Sequence, residues 1–120
     1  MQVALLYGGR SAEHEVSINS AFTIHQALLR TGYSVHLIAI TIQGGWYLQQ
    51  TLNREFDTTQ PLNLRPGLGI YNGEEKLQVG AAFATTHGYQ GEDGNLQGAC
   101  LLCNIPLCGC DTLSSAIGMH

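Results

Sequence analysis

The chain has 120 residues, 44% of them hydrophobic and 12% charged, with a formal net charge of −4. That length suits one domain with one core, the apolar content excludes a disordered chain, and no apolar run nears the roughly 18 residues that cross a bilayer. Lys and Arg number only five and are scattered, which argues against a nucleic-acid partner, whose phosphates call for clustered cations.

Met1-Gln2 leads directly into an apolar segment, without the basic start and long apolar stretch of a signal peptide, and this predicts a cytoplasmic protein. Val3 to Tyr7 is a continuous apolar run, the pattern of a strand covered on both faces in a parallel sheet. Ser17 is then the expected N-cap of a helix whose apolar stripe is Ile18, Ala21, Phe22, His25, Leu28 and Leu29. His25 falls in that stripe as a packed or rim histidine rather than a ligand. The helix runs to Arg30, and Gly32 supplies a left-handed stop.

A second strand is predicted over Ser34 to Ile42, and strand, helix and strand in succession imply a right-handed crossover. Gln43-Gly44-Gly45 predicts a turn into a short edge strand at Trp46-Tyr47-Leu48. From residue 49 to 79, Pro61, Pro66, Gly67, Gly69 and Gly73 cut the chain into short pieces, a small irregular insertion with a hairpin signal at Asn72-Gly73 and no evident chemistry. A core strand at Ala81 to Thr85, a helix over Asn95 to Cys103, a strand around Ile105 to Cys108 and a helix over Thr112 to Met119 capped by Asp111 complete the reading. Parallel strands alternating with helices describe an open α/β sheet with helices on both faces, where ligands collect outside the carboxyl ends of the strands.

Two loops stand at such ends. Leu6-Tyr7-Gly8-Gly9-Arg10-Ser11-Ala12-Glu13-His14-Glu15-Val16-Ser17 runs from a strand through two glycines into a helix. The glycines let the backbone turn tightly and approach a ligand, and the free N–H groups of the helix start favour negative charge. The third glycine of a dinucleotide fingerprint is missing, and an ordinary strand-to-helix turn has the same spacing. His87-Gly88-Tyr89-Gln90-Gly91-Glu92-Asp93-Gly94-Asn95-Leu96-Gln97-Gly98 repeats the arrangement after the apolar run Gly80 to Ala84.

All four cysteines, Cys100, Cys103, Cys108 and Cys110, lie within eleven residues. Cys100 and Cys103 have the spacing of a zinc knuckle, but they sit in the expected helix, and the gap to Cys108 is too short for a zinc ribbon. Buried thiols packing as small apolar groups are expected, with no metal, and free thiols fit a reducing compartment.

Together with Ile105-Pro106-Leu107-Cys108-Gly109-Cys110-Asp111-Thr112-Leu113-Ser114-Ser115-Ala116, the two loops resemble the amino-terminal domain of the D-alanine–D-alanine ligases, including their glycopeptide-resistance relatives. The resemblance covers about residues 3 to 48 and 80 to 119. It implies a Rossmann-like, pre-ATP-grasp sheet, with residues 1–120 as the amino-terminal substrate domain. In the family a central domain and an ATP-grasp domain follow. The resemblance thus implies part of a cytoplasmic, ATP-dependent, homodimeric ligase that makes D-alanyl-D-alanine for peptidoglycan, and a 120-residue chain inactive by itself. In that reaction ATP, with magnesium, phosphorylates the carboxylate of the first D-alanine, and the amine of the second attacks the acyl phosphate. ATP and magnesium are bound by the domains beyond this one.

By the same resemblance Glu13 is the catalytic and substrate-binding carboxylate, pairing with the ammonium of the first D-alanine; such a charge-assisted hydrogen bond gives direction and strength. The alternative for Glu13 is a first-turn acid favoured by the helix dipole, the role expected of Glu15. Val16 lies against the first D-alanine, and His87 stands beside it, the alternative for His87 being a loop cap. Ser17 is a cap rather than a nucleophile, since no base stands at a spacing that would activate it. Glu92 and Asp93 are expected to cap the following helix. Thr85-Thr86 depart from the family pattern, which has apolar residues before the histidine; Asn104 replaces a glycine, and His120 stands where an acid and then an ATP-binding lysine are usual. A different class of function, a non-catalytic small-molecule-binding or dimerisation domain of the same fold, would rest on an exposed apolar patch on the first helix or the Trp46 hairpin.

Overall fold

The computed structural model describes residues 1–9, 14–85 and 90–109. In chain order the elements are β1 (Gln2–Gly8), α1 (His14–Arg30), β2 (Ser34–Ile40), β3 (Trp46–Gln49), β4 (Leu62–Arg65), β5 (Gly69–Asn72), β6 (Glu75–Lys76), β7 (Ala81–Ala84), α2 (Gln90–Leu102) and β8 (Leu107–Gly109). The expected helix over Thr112 to Met119, its cap Asp111, and Cys110 lie outside the described residues.

β1 is apolar on both sides because it is the central strand of a five-stranded sheet ordered β3-β2-β1-β7-β8. β2 and β7 flank it in parallel, with Val3 opposite both Val35 and Ala81, and β8 adds a further parallel strand beside β7. Only β3 runs antiparallel, as the expected edge strand against β2. Alternate residues of β1 feed two cores. Val3, Leu5 and Tyr7 pack with Ile18, Ala21, Ile24 and Leu28 of α1, while Ala4 and Leu6 pack on the other face with Leu96, Cys100 and Cys103. The fold is therefore the expected α/β sheet with a helix against each face.

α1 differs from the expectation in two respects. It begins at His14, so Ser17 is not its N-cap but a buried residue of its first turn. Its buried face is rotated toward Ser17, Ile24 and Ala27, leaving Phe22 and Leu29 at 40% and 47% exposure. The small side chains of Ser17, Ala21 and Ala27 let the helix lie close on the sheet, which large residues at 22 and 29 would prevent. The helix ends as expected, with Gly32 at φ +91° and the pair of bonds from Tyr33 N to Leu28 O and Gly32 N to Leu29 O that close a Schellman motif. His25 is half-buried, and desolvation lowers its pKa.

The insertion is more regular than its sequence suggests. β4, β5 and β6 form a separate antiparallel sheet, turning at Asn72-Gly73 with Gly73 at φ +63°. It buries Leu62, Ile70 and Leu77 in the α2-side core. α2 starts at Gln90, five residues before the expected Asn95, so Glu92 and Asp93 belong to its helical backbone instead of preceding it. Gly91, Gly94 and Gly98 lower the local propensity and conceal that start. β8 begins two residues after Ile105, because Pro106 has no N–H for the ladder and contributes only its carbonyl, which accepts from Ala82 N at 2.8 Å.

Candidate functional site

β1 and β7 are adjacent, with Leu6 opposite Ala84, so the two segments leaving their carboxyl ends start side by side. Glu13 and His87 lie on these segments, at positions outside the described residues. What the structure does describe is the frame from which both loops depart.

Gly8 and Gly9 have φ of +92° and +102°. A Cβ at Gly8 would lie 2.3 Å from the Ile40 carbonyl oxygen and 3.1 Å from two ring atoms of Phe56, so only glycine fits. Gly9 N donates to that same Ile40 carbonyl at 2.8 Å. His14 Nδ1 lies 2.7 Å from Gly9 O; a carbonyl only accepts, so Nδ1 carries the hydrogen. The Gly-Gly turn is thus held by β2 from one side and by the first residue of α1 from the other.

Phe56 covers this turn. Its ring meets Tyr7 edge-on, with centroids 5.7 Å apart at 88°, and His14 at 5.5 Å. Tyr7 is fully buried, and among the described residues its hydroxyl has no hydrogen-bond partner. Burial pushes its phenol well above the ordinary tyrosine range. Two residues before Phe56, Arg54 hydrogen-bonds Asn19, pairs with Glu15 at 3.4 Å and lies 5.9 Å from the Phe22 ring centroid. The Glu15–Arg54 pair is exposed at both ends, where such pairs contribute at most about 1 kcal/mol; its interest is that it ties the insertion to the start of α1. Sequence reasoning found no chemistry in this segment and missed its support of the loop, since nothing local marks Phe56 among Asn53, Arg54 and Glu55.

A buried hydroxyl pair joins the two strand ends. Ser17 Oγ accepts from Gly8 N at 3.0 Å and stands 2.6 Å from Thr85 Oγ1, and both residues are fully buried. Thr85 Oγ1 donates to Ser17 O at 2.9 Å. Its single proton is then used, so it accepts from Ser17 Oγ. Ser17, expected as a helix cap, instead bridges β1, α1 and the residue after β7. Val16, one position earlier, is 46% exposed in the first turn of α1.

Two of the cysteines are packed as expected: Cys100 and Cys103 are buried among Leu96, Ile105 and Ala82. Desolvation, with the neighbouring Cys103, pushes the Cys100 thiol up to about 11, and desolvation also raises Cys103. Among the described residues no three His, Cys, Asp or Glu side chains converge as a metal cradle. A small cavity lined by Leu68, Lys76, Leu77, Cys103 and Asn104 involves no residue of β1, α1 or β7.

A mostly parallel sheet with β1 at its centre and a helix packed on each face defines an α/β domain of the Rossmann-like class. The family model described as D-ala D-ala ligase N-terminus matches residues 2–110, and the chain belongs to that family. A D-alanine–D-alanine ligase of Enterococcus gallinarum is 40% identical over 99% of this chain and 39% of its own length. D-alanine–D-alanine ligase A of Pseudomonas putida is 36% identical over 98% of this chain and 36% of its own. Among solved structures, a D-alanine–D-alanine ligase from Coxiella burnetii superposes with a TM-score of 0.76 at 32% identity, covering 89% of this chain and 34% of that one. The VanG D-Ala:D-Ser ligase of Enterococcus faecalis gives a TM-score of 0.75 at 29% identity over 88% and 34%. The chain therefore spans somewhat over a third of the curated relatives it matches.

Proposed function

We propose that this chain is the amino-terminal substrate domain of an ATP-dependent, cytoplasmic D-alanine–D-alanine ligase that makes a peptidoglycan precursor. In this reading Glu13 takes the ammonium of the first D-alanine, Val16 lies against its side chain, and His87 stands beside it from the neighbouring loop. The domain's contribution is orientation: holding the first carboxylate where it can be activated turns an encounter into a positioned reaction. The observation that carries this is the adjacency of β1 and β7, which starts the Glu13 and His87 segments from neighbouring strands of a family member. ATP and magnesium are assigned to the remainder of the enzyme, which would supply phosphoryl activation of the carboxylate when they bind.

The test is a chimera in which residues 1–120 replace the matching third of the Enterococcus gallinarum ligase. It is expected to form D-alanyl-D-alanine from D-alanine with ATP consumption, while the 120-residue chain alone forms none. A folded chimera that binds ATP and makes no dipeptide would refute the reading. Phe22 and Leu29, exposed seven residues apart on α1, favour a second role for the same domain, a contact between two copies of the enzyme; sedimentation of the chimera as a monomer would exclude it.

A further inference from the structure

We propose that Ser17 and Thr85 are positioning residues that couple the loop carrying Glu13 to the loop carrying His87. The proposal rests on the ligase reading for what the loops hold, and on geometry alone for the coupling. The ladder between β1 and β7 closes with Thr85 N on the Leu6 carbonyl at 3.0 Å. The next β1 amide on that side, Gly8 N, lies beyond the end of β7 and goes to Ser17 Oγ at 3.0 Å. Ser17 therefore continues the ladder from the helix, and its own hydroxyl donates a hydrogen bond to Thr85 Oγ1 at 2.6 Å. The Thr85 hydroxyl in turn donates to Ser17 O at 2.9 Å. The result is a closed ring of donors and acceptors whose two side chains are fully buried.

Ser17 stands four positions after Glu13, and Thr85 two positions before His87. Any shift of one loop's anchor must therefore break a buried bond to the other's, and breaking one leaves a desolvated donor or acceptor unpaired. Thr85 is also where the ligase resemblance leads one to expect an apolar residue, so the second half of the ring is a feature of this chain. An apolar side chain there would keep the Gly8 bond and lose the coupling to β7.

The experiment uses the chimera with Thr85→Val, Ser17→Ala, both together, and Thr85→Ser. Thr85→Val is expected to raise KM for the first D-alanine about fivefold with little change in kcat, because fewer molecules hold both loops in the competent arrangement. The double variant should cost no more than the larger single one, and Thr85→Ser should restore the parent KM. A lowered melting temperature with unchanged KM, or additive single effects, would overturn the proposal. A chimera without ligase activity would count against the ligase reading alone, and hydrogen exchange on the unaltered 120-residue chain then decides the coupling. The Gly8 amide should exchange as slowly as that of Leu5 in the centre of β1, whereas rapid Gly8 exchange would show that the ring does not hold.

Discussion

The ring of Phe56 stands edge-on to that of Tyr7, with centroids 5.7 Å apart at 88°, and so closes the carboxyl end of β1 against solvent with a residue from the insertion. Two atoms of the Phe56 ring also stand 3.1 Å from where a Cβ on Gly8 would lie. Replacing it with alanine removes a half-buried aromatic and is expected to cost about 2 kcal/mol, below the range for a fully buried phenylalanine. Urea unfolding measures the loss. A change under about 0.5 kcal/mol, of the size seen for surface substitutions, would show that the ring does not support the turn.

The Tyr7 hydroxyl is buried without a partner among the described residues, an arrangement that costs roughly 1–3 kcal/mol relative to a paired hydroxyl. Tyr7→Phe keeps the edge-on ring contact and removes the orphan group. The variant should be as stable as the parent or more so, by up to about 1 kcal/mol. Clear destabilisation in the same urea measurement would show the hydroxyl to be hydrogen-bonded in solution.

How much of this was legible in the sequence follows from how local each cause is. The β1 run, the Gly32 stop and the Asn72-Gly73 turn depend on neighbours in the chain, and each stands where the pattern put it. The face of α1 was misjudged at Phe22 and Leu29, because a 3.6-residue period fixes spacing but not which small residues the sheet will accept. Ser17 read as a cap for the same reason: serine before an apolar stripe has that meaning locally, and its partner Thr85 is 68 positions away. The two loops were recognised as motifs, while the supports that hold their frame, Phe56 and Thr85, come from tertiary contacts that no spacing records.

Stability should fall as the solution becomes alkaline. The Cys100 thiol is raised from an ordinary 9.0 to about 11, chiefly by burial, and Tyr7 is raised for the same reason. Above pH 9 the unfolded chain releases these protons first, so it binds fewer than the folded one, and unfolding becomes more favourable with rising pH. The stabilisation is complete below pH 9 and is lost between about pH 9 and 11 for Cys100. Melting temperatures should be nearly equal at pH 7.5 and 9 and lower at pH 10.5, and a flat profile would contradict the burial of both groups.

Thiol chemistry gives a residue-resolved check. With Cys100 and Cys103 buried and their thiols held protonated, iodoacetamide at pH 7.5 should modify them only as fast as the chain unfolds, since the thiolate is the reactive form. Cys108, partly accessible, should react earlier. A chelator should leave the melting temperature unchanged. Fast labelling of Cys100, seen by peptide mass spectrometry, would show that the α2-side core is open.

The central claim, that the loop between β1 and α1 holds the first substrate through Glu13, is tested most directly by Glu13→Gln in the chimera. Glutamine keeps the size and removes the charge that an ammonium group requires, a loss of roughly 1.5–3 kcal/mol. The account predicts a rise of about tenfold to a hundredfold in KM for the first D-alanine, with the melting temperature unchanged. A variant with the parent KM and the parent kcat would contradict it.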